Sequence, residues 1–327
     1  MATILVTGGA GYIGSHACHA LARAGRLPVT FDDLSTGWAE AVRFGPLVVG
    51  DLGDAEALDA CFAAHRPDAV IHFAARSDVA ESVRDPGRYW ADNVGGSLSL
   101  LRAMVRAGCG RIVFSSTCAT YGDADGIALD EGTAQHPINA YGASKLAVEH
   151  MLRDFGAAHG IRSVIFRYFN VAGAEPAAGI GEFHRPETHL VPLVLDAIAG
   201  QREALTIHGT DYDTPDGTCV RVYVHVCDLV DAHLAGLERL LTGAAGGTFC
   251  LGTGHGFSVR EVIAAGGRIT NRPVPVVEGP RRAGDAVRLV CGSARARAEL
   301  GWTPARSTLD RMMVDAWDWH RQEGYTR

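Results

Sequence analysis

Directly behind the apolar run Ile4-Leu5-Val6 the chain reads Thr7-Gly8-Gly9-Ala10-Gly11-Tyr12-Ile13-Gly14, and a helical pattern begins at once. Glycines at 8, 11 and 14 between a strand and a helix leave few folds open. Gly8 permits a tight strand-to-helix turn, Gly11 lets the backbone approach a pyrophosphate, and Gly14 allows the helix to pack closely on the strand. The helix start adds unpaired N–H groups and positive potential. Three glycines alone are ordinary turn material. Their position after a strand makes them a variant of the dinucleotide fingerprint.

The first half continues in the same rhythm. Ile4–Thr7, Pro28–Asp32, Leu47–Val49, Ala69–Phe73, Arg111–Ser115 and Ser163–Arg167 read as buried strands. Helical patterns at Ser15–Ala24, Ala55–His65, Ser97–Ala107 and Tyr141–His159 lie between them. Such alternation predicts an α/β fold, a doubly wound parallel sheet of Rossmann type, with ligands beyond the carboxyl ends of its strands. After about residue 170 the pattern loosens through a Gly/Pro-rich stretch at 172–188 and turn-rich segments at 209–217 and 243–256. The expected division is therefore a cofactor domain over 1–170 and a smaller mixed α/β domain over 171–327. The run Arg221–Val226 reads as a strand, and 221–232 is expected to return to the large sheet.

Composition excludes other classes. A net charge of −7 and a pI near 6.0 advertise neither a nucleic-acid nor a membrane partner. No apolar run reaches spanning length. The eight cysteines form no C-x-x-C pair and no zinc-ribbon spacing, so no metal is implied and they read as small buried residues of a reducing compartment. The first strand begins almost at residue 1, leaving no room for a signal peptide, and the expected location is cytoplasmic.

Asp32 closes the second strand, where a carboxylate can accept from both adenosine ribose hydroxyls and repel a 2′-phosphate; this favours NAD over NADP. Asp51-Leu52 after the third strand can reach the adenine, and Phe73-Ala74-Ala75 after the fourth comes close to the pyrophosphate. Of the 30 Lys plus Arg residues, only Lys145 is lysine, so that site demands a compact, rotatable ammonium. Tyr141 lies four residues earlier on the same helix face. A phenol of pKa about 10 must fall by about 3 units to act as a base at neutral pH, and a nearby ammonium favours the phenolate. Thr117, off the end of the fifth strand, can bridge Tyr141 and a substrate hydroxyl.

The runs TGGAGYIGSH, VIHFAA, ESV, SSTCATYG, YGASK, RYFNVAGA, RVYVHVCDL and RRAGD, in this order, resemble the UDP-glucose 4-epimerases of the extended short-chain dehydrogenase type from end to end. The resemblance implies that hydride passes from sugar C4 to bound NAD and returns to the other face of a 4-keto intermediate. It implies Tyr141 as base, Lys145 as its electrostatic partner and Thr117 as the bridging hydroxyl. NAD contacts would come from Gly8, Gly11, Tyr12, Ile13, Gly14, Asp32, Asp51, Leu52, Phe73, Ala74, Ala75, Asn93 and Phe169, together with the catalytic three. The UDP-sugar would meet Thr117, Tyr141, Asn170, Leu190, Arg221, Arg282 and Asp285. A homodimer through the helices near 96–107 and 141–159 is likewise implied.

Some positions depart from that pattern. Val222 follows Arg221 where the family usually has Asp, His189 replaces a frequent Asn, and Ser77 stands where some relatives carry Lys. Leu289 occupies the position that gates N-acetylated sugars, and its bulk favours UDP-glucose and UDP-galactose. The rival readings are a 4-epimerase of another UDP-sugar, a 4,6-dehydratase and a non-catalytic NAD sensor. A dehydratase has an Asp-Glu pair after the strand-end Thr, and here Cys118-Ala119 stand there. A sensor would have no use for Thr117, Tyr141 and Lys145 together.

Overall fold

Each apolar run of the first half is hydrophobic on both faces, so each needs helices above and below it. The computed structural model describes residues 1–123, 129–282, 285–322 and 324–325, and it meets that need. Seven parallel strands are ordered β10-β6-β5-β4-β1-β2-β3. These are β1 (Thr3–Thr7), β2 (Leu27–Asp32), β3 (Leu47–Val49), β4 (Ala69–His72), β5 (Arg111–Ser115), β6 (Arg162–Arg167) and β10 (Gly247–Cys250). Ile4, Val6, Ile71, Val113, Val164 and Phe166 face one layer, built on helices α1 (Tyr12–Arg23) and α6 (Val226–Leu241). Leu5, Val70, Ile112, Phe114 and Ile165 face the other, built on α2 (Ala55–His65), α3 (Gly96–Ala107) and α4 (Ala140–His159). Alternate residues of one strand thus serve two cores.

The expected strands and helices fall within about three residues of those observed, as element ends generally do. One expectation is corrected. The strand read at 221–226 is β9 (Val220–His225), and it does not join the large sheet. It pairs instead with β7 (Asn170–Ala172), β11 (Gly256–Ser258) and β13 (Arg288–Leu289). Only the helix that follows it, α6, lies on the large sheet. The seventh strand of that sheet is β10, inside a segment whose glycines read as turns. Those glycines have a packing reason: a Cβ at Gly246 would lie 2.0 Å from the Ser163 carbonyl oxygen. The backbone must pass that close to reach β6.

The remaining two strands, β8 (Leu205–His208) and β12 (Val276–Gly279), pair with each other. A separate core gathers α5 (Leu190–Ala199), α7 (Val259–Thr270) and α8 (Leu309–His320) around Val194, Val262, Met312 and Met313. No helix among the described residues is long and apolar enough to cross a membrane.

One buried ion pair ties the second layer to the strand ends. Arg167 at the end of β6 meets Glu149 of α4 in two parallel bonds of 3.0 Å and 2.6 Å. The Ser116 hydroxyl donates to the same carboxylate at 2.5 Å, and Arg167 also donates to the Tyr121 hydroxyl at 2.8 Å. Both charged side chains are almost wholly buried, so losing one strands the other in a medium that solvates it poorly. Arg167→Leu should cost about 3–5 kcal/mol of unfolding free energy in urea, and the double change Arg167→Leu/Glu149→Leu should recover much of it. A single variant within about 1 kcal/mol of the parent would show that the pair does not anchor α4.

Candidate active site

Most residues expected on the cofactor side follow the carboxyl ends of β1 to β4. Gly8 has φ +73°, and a Cβ there would lie 2.6 Å from the Ala74 nitrogen. The loops after β1 and β4 therefore pass each other with no room for a side chain. A Cβ at Gly14 would lie 2.0 Å from the Gly8 carbonyl oxygen. Gly11 caps α1 without a side-chain bond, and the first turn of that helix holds no acidic residue. That helix start suits an anion. Asp32 is buried; one carboxylate oxygen accepts from the Ala10 N–H and the other from the Leu34 N–H, both at 2.9 Å. Burial pushes its carboxyl up while these two bonds oppose the shift. Each oxygen keeps lone-pair capacity for a ribose hydroxyl. The cradle, the helix start and the carboxylate together fit an adenine dinucleotide.

Asn93 lies in the same place but its side chain is committed elsewhere. It accepts from the Arg76 N–H at 2.8 Å and donates to the Arg76 carbonyl at 3.1 Å and the Ser144 hydroxyl at 3.0 Å. It thereby joins the loop after β4 to α4. Asp51 accepts from the Gly53 N–H at 2.6 Å, and Leu52 packs against the α2/α3 core. The Phe73 ring stands 4.9 Å from that of His233.

On α4, Tyr141, Lys145 and Glu149 succeed one another at intervals of four residues and so lie along one face. Lys145 donates to the Ser115 carbonyl at 2.8 Å, and its ammonium lies 4.9 Å from the centre of the Phe114 ring. Burial lowers its pKa to about 7, and Glu149 opposes that shift. Thr117 follows β5 and caps the short turn Cys118–Tyr121, accepting from the Ala119 N–H at 3.1 Å. Burial raises the Tyr141 phenol to about 12, and the Thr117 hydroxyl opposes that shift. The three residues expected to be catalytic are thus together at one strand end, with burial pushing the Tyr141 phenol up and the Lys145 ammonium down.

Several of the residues expected to meet the UDP-sugar lie on or beside the small sheet. Arg221 of β9 lies 3.5 Å from Asp285, and Leu289 of β13 is its partner in register. Arg282 is exposed beside them; Ala283 and Gly284, within the RRAGD run, lie outside the described residues. Asn170 opens β7 alongside Tyr223, Phe169 precedes it, and Leu190 is the first residue of α5. Val222 is fully buried with Cys118, Tyr121, Cys250 and Cys291, so the residue standing for Asp is absorbed into an apolar cluster. Ser77 is exposed ahead of Asp78, which caps a short helix.

Several contributing residues had no sequence signal. His72 bridges the Thr7 and Ser97 hydroxyls at 2.7 Å and 2.9 Å. His233 accepts from or donates to Ser115 at 2.8 Å, with its other nitrogen on the Leu229 carbonyl. Burial lowers the first to about 3 and the second to about 4, so both are neutral spacers. Glu149 had a signal, its four-residue step from Lys145.

The family profile described as NAD dependent epimerase/dehydratase matches residues 4–252. The chain belongs to that family. It is 49% identical over 317 residues to a UDP-glucose 4-epimerase of Rhizobium meliloti (strain 1021), covering 97% of this chain and 96% of the relative. The fold superimposes on a crystal structure of UDP-glucose 4-epimerase from Brucella ovis in complex with NAD at a TM-score of 0.94. That match has 46% identity and covers 97% and 98% of the two chains. A UDP-glucose-4-epimerase from Stenotrophomonas maltophila, with bound NAD and formylated UDP-arabinopyranose, gives a TM-score of 0.95 at 38% identity with both chains fully covered. Like its family, the enzyme uses NAD.

The Lys145 shift has a measurable sign. Its folded pKa of about 7 lies below the 10.5 of the free side chain. Between those values the unfolded chain holds a proton that the cofactor-free folded protein has released, so this residue makes stability rise with pH. In NAD-free protein the slope should approach about 1.4 kcal/mol per pH unit above that of Lys145→Met. Denaturant midpoints at pH 7, 8 and 9 measure the difference; parallel slopes would place the ammonium in water-like surroundings.

Proposed function

We propose that the chain interconverts UDP-galactose and UDP-glucose, with Tyr141 moving the proton of the sugar C4 hydroxyl. The observation that carries this reading is the Thr117–Tyr141–Lys145 group at the end of β5, with Thr117 followed directly by Cys118, whose thiol is wholly buried and pushed up by that burial, and by Ala119, which has no proton to exchange. Residues 1–170 would hold NAD through the glycine cradle and Asp32; residues 171–327 would hold the UDP-sugar. Bound NAD⁺ would supply the hydride acceptor for C4 and a positive charge that favours the phenolate.

The chain's own groups do the rest. Thr117 passes a hydrogen bond between the C4 hydroxyl and Tyr141, fixing the distance over which the proton moves. Lys145 favours the phenolate from one helical turn away, and Ser115 orients its ammonium. Arg221 and Arg282 offer forked donors to the diphosphate, so a chain of net charge −7 attracts its anionic substrate locally. Asp285 holds the Arg221 guanidinium in place. A tethered diphosphate also lets the sugar turn over while it stays bound, which presentation of both faces at C4 requires. The same reading carries a homodimer through α3 and α4 and a cytoplasmic setting.

Purified protein given UDP-galactose and no added cofactor should form UDP-glucose up to an equilibrium mixture. Tyr141→Phe should lower kcat by about 100- to 10,000-fold while retaining NAD. The gate at Leu289 predicts no comparable turnover of UDP-N-acetylhexosamines. Because a Stenotrophomonas relative binds a UDP-pentose derivative, UDP-arabinopyranose is the second substrate to assay. A folded, NAD-loaded protein inert toward UDP-galactose would overturn the assignment.

A further inference from the structure

Ahead of α5, one loop turns four side chains of metal-ligand type onto a single point. Glu182, His184, Glu187 and His189 each bring one ligand atom there, and these atoms all lie within 4.8 Å of one another. His189 Nδ1 is 3.0 Å from Glu182 Oε1 and 3.2 Å from Glu187 Oε1. His184 Nδ1 is 3.6 Å from Glu182 Oε1 and 3.6 Å from Glu187 Oε2. That nitrogen is shielded from solvent and has no hydrogen-bond partner.

His189 Nδ1 stands at hydrogen-bond distance from both glutamates, and it is the spacing at His184 that separates two uses of the cluster. A distance of 3.6 Å is too long for an N–H···O bond. Two ligands of one tetrahedral ion, each about 2.1 Å from it, stand about 3.4 Å apart. His184 is therefore placed to share an ion with both glutamates and badly placed to share a proton with either. The loop is also held in shape independently of these four groups. Trp319 donates to the Glu182 carbonyl and Trp38 to the Phe183 carbonyl, both at 2.9 Å. Glu187 Oε1 takes the N–H groups of Thr188 and His189 at 2.8 Å each, leaving Oε2 on the His184 side.

We propose that Glu182, His184, Glu187 and His189 bind one divalent transition-metal ion of the zinc class. Two imidazoles and two carboxylates suit such an ion, whereas calcium and magnesium prefer oxygen-only shells. Four protein ligands leave no open position, so the ion is structural. It ties the loop to His189, the cap of the helix that begins at Leu190, and neutralises two converging carboxylates. Sequence pattern pointed to no metal because these spacings of two, three and two residues match no C-x-x-C or H-x-x-x-H signature and fall in a stretch that reads as plain loop.

The test uses the full-length holoprotein, treated with a chelator, freed of it by dialysis, and titrated with zinc chloride against a chromophoric competitor. One ion per chain is expected, with affinity weakened at least about 100-fold in His184→Ala and in Glu187→Gln, both variants keeping their NAD and their circular dichroism. Cobalt(II) added to the parent protein should give the intense visible bands of a four-coordinate ion, a readout that needs no variant. Zinc binding absent from the parent, or equally tight in His184→Ala, would overturn the proposal, as would a weak six-coordinate cobalt spectrum.

Discussion

Lys145 buries its ammonium at the end of β5, 2.8 Å from the Ser115 carbonyl and over the Phe114 ring. Taking that charge out of water is costly, and the surroundings of the site exist to make it tolerable. The Ser115 carbonyl accepts one N–H, and Glu149 contributes its field from the next turn of α4. Glu149 can be there because Arg167 neutralises it and Ser116 satisfies it. A guanidinium at position 145 would need a broad planar berth; this narrow one accepts an ammonium. The same short stretch of β5 supplies Ser115 to the lysine, Ser116 to the anchor and Thr117 to the tyrosine.

In the proposed mechanism the helix face from Tyr141 to Glu149 therefore combines three tasks in successive turns: base, charge partner and anchor. The loop after β4 is tied to the same helix by Asn93, which spends both amide hydrogens on Arg76 and Ser144. The loop after β4 and helix α4 are thus parts of one hydrogen-bonded unit. On the far side, the small sheet joins residues from three distant stretches of chain, because β13 sets Leu289 opposite Arg221 and β7 sets Asn170 opposite Tyr223, two residues further along β9.

Much of this was legible in the residues before any coordinates. The parallel sheet followed from strands apolar on both faces, and the glycine cradle from its place between a strand and a helix. Lys145 stood out because it is the sole lysine. What stayed hidden was information about close approach in three dimensions. The glycines around β10 mimic turns, since packing against β6 and turning both require a missing Cβ. β9 has the alternation of any half-buried strand, and nothing in its own residues says which sheet it joins. Neutral His72 and His233 work through bonds to hydroxyls far away in sequence, and the cluster at 182–189 becomes visible only when the loop closes on itself.

The protein by itself pushes the Tyr141 phenol up to about 12 and the Lys145 ammonium down to about 7, so in the proposed mechanism Tyr141 becomes an active base only when a further positive charge joins that of Lys145. Tyrosinate formation at position 141, followed as the difference in ultraviolet absorbance between the parent and Tyr141→Phe from pH 6 upward, tests this directly. Without cofactor the residue should titrate near 12; with NAD⁺ bound its titration should move down by several units. A Tyr141 that ionises near neutral pH in the cofactor-free protein would contradict the account.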